Sequence, residues 1–123
     1  MAQDAVTPPP ASSFRRHGDL LLLSGQVGVD ENWRPVEGTF QDEARAVFRN
    51  VRQVLTEAGS RPERILKVTG YLTDAALFPA YNEVWLEAFP DPEHRPARTT
   101  IVTGLHPPFR VELDVTAVAD EIA

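Results

Sequence analysis

Residues 110–119, RVELDVTAVA, place Val111, Leu113, Val115 and Ala117 on one side of an extended chain and Glu112, Asp114 and Thr116 on the other, because successive side chains of a strand point to opposite faces. A strand with one apolar and one acidic, polar face needs helices behind it and water, a ligand or another subunit in front. The remaining segments supply that backing. From Phe40 the apolar residues fall at 40, 44, 47, 48, 51, 54, 55 and 58, the stripe of an amphipathic helix. Thr39 and Asp42 approximate a capping box, and Gly59 stands where a C-terminal cap belongs. A second helix is predicted from about Leu77 to Phe89, with Phe78, Tyr81, Val84, Trp85 and Ala88 at helical spacing. Pro79 is tolerable there because it sits in the first turn, and Pro90 and Pro92 end the helix.

Three further segments read as strands. Leu20–Leu23 is a short apolar run bracketed by Gly18 and Gly25, residues 65–73 are rich in β-formers, and residues 98–103 follow the second helix. The order β-α-β-α-β-β predicts an α+β chain with a sheet packed on two helices. A length of 123 residues, 42% of them hydrophobic, suffices for one domain with a core of its own. Pro8, Pro9 and Pro10 favour an extended lead-in. Residues 1–10 are therefore expected to be a flexible segment lying on the surface or along a neighbouring subunit, and residues 11–123 to form the domain.

Charge and composition exclude several function classes. A net charge of -6 repels a phosphate backbone, and the basic cluster Arg61, Arg64, Lys67 is interrupted by Pro62 and Glu63. The absence of cysteine removes disulfides, thiolate nucleophiles and thiolate metal sites. An acid in the N-terminal segment and a longest apolar run of only Leu20–Leu23 argue against a signal peptide or membrane span, so a cytoplasmic protein without membrane partners is expected. His17, His94 and His106 show no metal-ligand spacing, and neither a phosphate loop nor a nucleophile elbow is present.

Chemistry has three candidate seats. Ser24-Gly25-Gln26 ends a strand with a residue lacking a side chain, where backbone can approach a ligand, although on its own a plain turn explains it better. Arg98 and Thr100 share a strand face, and a guanidinium fork can grip a carboxylate through two parallel hydrogen bonds. Local sequence alone favours a surface salt bridge for that arginine. Glu112 and Asp114 also share a face and can position water or shuttle a proton. A solvated sheet face accounts for them equally well.

Taken together, residues 18–26 (GDLLLLSGQ), the helix through Asn50-Val51 to Gly59, Ile65-Leu66-Lys67-Val68-Thr69, Phe78 to Asn82, Arg95-Pro96-Ala97-Arg98-Thr99-Thr100 and Val111-Glu112-Leu113-Asp114 resemble the RidA/YjgF reactive-intermediate deaminase family. The resemblance spans about Pro10 to Ala119, and R-P-A-R followed by V-E-L-D is its most specific part. It implies a chorismate-mutase-like mixed sheet on two helices, a homotrimer with clefts at the subunit interfaces, and no cofactor or metal. It also implies hydrolysis of enamines and imines such as 2-aminoacrylate to a 2-keto acid and ammonia.

In that scheme Arg98 matches the carboxylate-binding arginine, and Asp114 the acid, commonly glutamate, that handles the proton of the attacking water. Glu112 on the same face is the alternative acid. Ser24, Gly25 and Asn82 match positions around the ligand, and Thr100 falls where many members carry cysteine. Two departures accompany the match: Asp114 is a methylene shorter than glutamate, and Ala11 falls where deaminating members have a tyrosine, with the nearby Phe14 lacking a hydroxyl. The competing expectation is a trimer that binds a small carboxylate such as a keto acid without chemistry. A nuclease reading fits poorly with the acidic charge and the lack of a histidine pair at the expected cleft.

Overall fold

A computed structural model describes residues 4–120. Along it run strands β1 (Phe14–His17) and β2 (Leu20–Leu23), helix α1 (Phe40–Glu57), β3 (Ile65–Leu72), helix α2 (Phe78–Ala88), β4 (Ala97–Val102) and β5 (Val111–Val118). The strands form one sheet in the order β1-β2-β5-β3-β4. All neighbours are antiparallel except β3 and β4, which are parallel and joined through α2. The α+β class with a mixed sheet on two helices is therefore observed.

Both helices form where their patterns place them. At the start of α1 the Thr39 side chain accepts from the Asp42 N–H at 3.1 Å while Asp42 Oδ2 accepts from the Thr39 N–H at 3.0 Å, closing the capping box reciprocally. At its far end Ala58 caps the helix, and Gly59 turns the chain with φ +77°, a conformation that L side chains avoid. Pro79 lies in the first turn of α2, where no helical acceptor would be waiting for its missing N–H.

The apolar stripes of both helices meet one face of the sheet. Val47, Val51 and Leu55 of α1 and Tyr81 and Val84 of α2 bury against Leu21, Val68, Leu72, Val111, Leu113 and Val115. Phe48 of α1 contacts Trp85 and Phe89 edge-on at centroid distances of 6.3 and 5.8 Å, locking the helices together. The opposite face is bare. There Leu22 is 51% exposed, Ile101 41% and Leu20 38%, alongside the polar side chains of β5.

One strand has no counterpart in the sequence reading. β1 pairs with β2 through a tight turn at Gly18 and Asp19, with Gly18 at φ +60°, so the order is β-β-α-β-α-β-β. Its FRRH sequence lacks apolar alternation because β1 lies at the sheet edge, largely exposed, with only Phe14 packed on the core. Residues 4–10 adopt no regular structure and are tied to the body where the Val6 N–H donates to the Trp33 carbonyl at 2.8 Å; residues 1–3 of the expected lead-in lie outside the described residues.

Replacing Thr39 by alanine removes one half of the capping box while leaving the core untouched. Chemical denaturation is expected to show a loss of about 1 kcal/mol with an unchanged denaturant slope.

Candidate functional site: two half-sites on opposite sheet faces

Arg98 stands on β4 opposite Val68, which in turn lies opposite Val115. Both valines are buried under the helices, so Arg98 and Thr100, two residues on, point to the helix-covered side. There the Arg98 Nη1 donates to Asn82 Oδ1 at 2.8 Å, and the guanidinium carbon lies 4.9 Å from the Trp85 ring centre and 5.5 Å from that of Tyr81. Asn82 and the two aromatics are one turn of α2. Gly70, which pairs with Thr100, has no side chain to collide with the Tyr81 hydroxyl, and this lets the phenol end of the ring come up against β3.

The Tyr81 hydroxyl is wholly buried without a hydrogen-bond partner. Burial pushes its pKa up to about 12, with the nearby Arg98 charge pulling weakly the other way, so the phenol stays neutral. Among the described residues no carboxylate pairs with Arg98, although Arg16, Arg45, Arg61, Arg64 and Arg110 each have one. Its neighbours are a neutral amide and two aromatic faces. The cation is thus oriented but not neutralised, and its remaining N–H donors are available to an anion.

The second group lies on the bare face. Glu112 pairs with Tyr71 of β3 and, with Asp114, lines an open hollow of 390 Å³ bordered by Gly25, Tyr71 and the loop Thr103-Gly104-Leu105. A Cβ at Gly25 would sit 2.5 Å from Glu112 Oε2. With glycine there the Glu112 carboxylate can lie directly against the backbone, and a side chain at position 25 would displace it. Ser24 directs its hydroxyl elsewhere, donating to the Ser12 carbonyl at 2.5 Å and pinning the N-terminal segment.

Glu112 is half-buried and Asp114 exposed. Desolvation, and then repulsion from Asp114, raise the Glu112 pKa above its ordinary value of 4.5. The folded chain therefore holds this proton more tightly than the unfolded chain does. Its contribution to stability is present below pH 4.5 and is lost as pH rises through the raised value.

The structure brings Arg98, Thr100 and Asn82 together, and it brings Gly25, Glu112 and Asp114 together. It does not bring the two groups to each other within one chain. Sequence reasoning also passed over Trp85 and Tyr81, whose helical spacing reads as core, and the Thr103-Gly104-Leu105 wall, which carries no motif. Among the described residues no group of three His, Asp or Glu side chains converges to hold a metal ion, and no helix is long and apolar enough to cross a membrane.

The profile of the family described as endoribonuclease L-PSP matches residues 7–119, and the chain belongs to this family, the RidA/YjgF family. Its similarity to individual members is substantial. It is 42% identical over 99 residues to "Protein mmf2, mitochondrial" of Schizosaccharomyces pombe, covering 80% of this chain and 75% of that protein. It is 40% identical over 111 residues to a RutC family protein of Aquifex aeolicus (89% and 88%), and 33% identical over 113 residues to a 2-iminobutanoate/2-iminopropanoate deaminase of Dermatophagoides farinae (90% and 87%).

Among solved structures, yeast Mmf1 superimposes with a TM-score of 0.87 at 28% identity, covering 96% of this chain and 94% of that one. RidA from an Antarctic Psychrobacter superimposes with 0.83 at 26% identity, covering 94% of each. Relatives named as mitochondrial lend no support to the cytoplasmic expectation.

The Glu112 carboxyl is expected to titrate above 4.5 in a carbon-detected NMR experiment, and Asp114→Asn to bring that midpoint down by removing the neighbouring charge. A midpoint that does not respond to Asp114→Asn would show that the two carboxylates do not interact.

Proposed function

We propose that the chain hydrolyses 2-imino acids, formed from enamines such as 2-aminoacrylate, to 2-keto acids and ammonia, and that each active site is completed between two copies of the chain in a homotrimer. The observation that carries this reading is the un-neutralised guanidinium of Arg98 held against Trp85 and Asn82. A relative named as a deaminase of this type, 33% identical, supports it.

In this reading the Arg98 fork holds the substrate carboxylate, with Asn82 keeping the guanidinium oriented and Thr100 beside it. Glu112 rather than Asp114 is the acid, because it is half-buried, faces Gly25 and has the raised pKa, whereas Asp114 is exposed. A carboxylate poised closer to neutrality is the better proton carrier. Glu112 takes a proton from water, and the water oxygen bonds to the imine carbon to give a carbinolamine. That first proton goes to nitrogen as it takes the C=N π pair. The carbinolamine hydroxyl proton is then carried by Glu112 to nitrogen as well, and the carbon–nitrogen bond breaks as the oxygen closes the new carbonyl, releasing ammonia and the keto acid. Asp114 tunes Glu112, and the backbone at Ser24 and Gly25 forms the wall.

Arg98 and Glu112 are three residues apart along the strand direction and two strands apart, about 10 Å each way, and they face opposite sides of the sheet. A substrate of a few heavy atoms cannot touch both in one protomer. The exposed Leu20, Leu22 and Ile101 on the Glu112 face give a second copy an apolar surface to cover, and β4 is an open sheet edge.

A coupled assay, in which an amino-acid oxidase or a threonine dehydratase generates the imine, is expected to show faster release of keto acid and ammonia. Arg98→Ala should lower kcat/KM on the order of a hundredfold or more. Leu22→Glu should elute as a smaller species and lose hydrolysis with it. Full activity in Arg98→Ala would overturn the proposal; calorimetric binding of 2-ketobutyrate with no acceleration for any amino acid would replace it with a carboxylate-binding role.

A further inference from the structure

Glu43 is a carboxylate of α1 that is only 5% exposed. Burying an acid is costly unless its oxygens are satisfied, and here they are satisfied by one short stretch of chain. Oε2 accepts the backbone N–H groups of Arg110 at 2.8 Å and Val111 at 3.3 Å, while Oε1 accepts Arg110 Nε at 2.8 Å. These donors belong to the entry of β5, and Val111 immediately precedes Glu112. The Arg110 guanidinium also lies 5.8 Å from the Phe40 ring centre, which fixes it against the same helix.

A second segment converges on this side chain. Gly28 packs so closely that an added Cβ would lie 2.8 Å from Glu43 Cγ and 3.1 Å from the Glu43 carbonyl oxygen. Gly28 follows Gly25 by three residues, and between them Gln26 exchanges backbone hydrogen bonds of 2.9 and 3.0 Å with Leu113. The Gly25 wall of the hollow and the strand carrying Glu112 are therefore anchored on the same buried carboxylate, some distance from the reacting groups. We infer that Glu43 is a positioning residue that sets the Glu112 carboxylate against Gly25. This role rests on the assignment of Glu112 as the acid.

Glu43→Gln keeps the volume but faces an N–H₂ group toward either Arg110 Nε or the two backbone donors, so one side of the clasp must open. A displacement of order 1 Å at a reacting group costs up to about a hundredfold in rate, and a partial shift should lower kcat about tenfold. KM should change little, since the substrate carboxylate is held by Arg98. The discriminating readout is the same substitution in a Glu112→Gln background, where the acid is already gone. There Glu43→Gln should lower the residual kcat no further.

Gly28→Ala, which crowds Glu43 without touching its charge, serves as the second variant should Glu43→Gln fail to fold, and the same non-additivity is expected. An unchanged kcat in the folded variant, or an equal fall in both backgrounds, overturns the positioning role while leaving the acid assignment standing. Full activity in Glu112→Gln alone overturns the acid assignment and this role with it.

Discussion

The two-residue alternation of β5 decides what the two faces of the sheet can do. Val111, Leu113, Val115 and Ala117 must be buried, each being no more than 1% exposed, and that requirement sends Glu112 and Asp114 to the bare face. Through the shared register of β3, the same constraint places Arg98 and Thr100 on the helix side. A one-residue slip would exchange every side chain between the two faces. The separation of cation and acid is thus a consequence of burying the core.

In the proposed reading, that separation makes two ordinary features the halves of one site. Arg98 alone is a cation resting on aromatic rings, and Glu112 alone is a carboxylate with a raised pKa beside a glycine. Among the described residues, neither is paired with an opposite charge. The bare sheet face, with leucines and an isoleucine among acids and threonines, gives a physical reason for copies to associate. Membership in the RidA/YjgF family fits this architecture, but relatives bearing different names show that membership by itself does not choose the reaction. The choice has to come from the groups at the site.

Much of the frame was legible in the sequence because it depends on local periodicity. The stripe of α1, its Thr39 and Asp42 box and the alternation of β5 appear as read. β1 was not legible, since an exposed edge strand of Phe-Arg-Arg-His needs no alternation. At the site, the residue types were visible but their relationships were not. Period two puts Glu112 and Asp114 on the same face, and only the approach of Gly25 and the difference in burial distinguish them. Trp85 read as core because helical spacing shows which face a residue occupies without showing that an arginine from β4 will lie over it. Pairings between distant strands and the contacts of Glu43 across 67 residues leave no local mark.

The claim that the acid and the arginine of each site come from different copies can be tested by complementation. Arg98→Ala and Glu112→Gln are purified separately, unfolded, mixed in equal amounts and refolded together. If each interface of a trimer takes Arg98 from one copy and Glu112 from the next, random mixing leaves about a quarter of the sites with both groups intact. Imine hydrolysis should then recover to about a quarter of the unsubstituted level, far above the residual activity of either variant alone. Mixed oligomers that form but show no recovery would contradict the account.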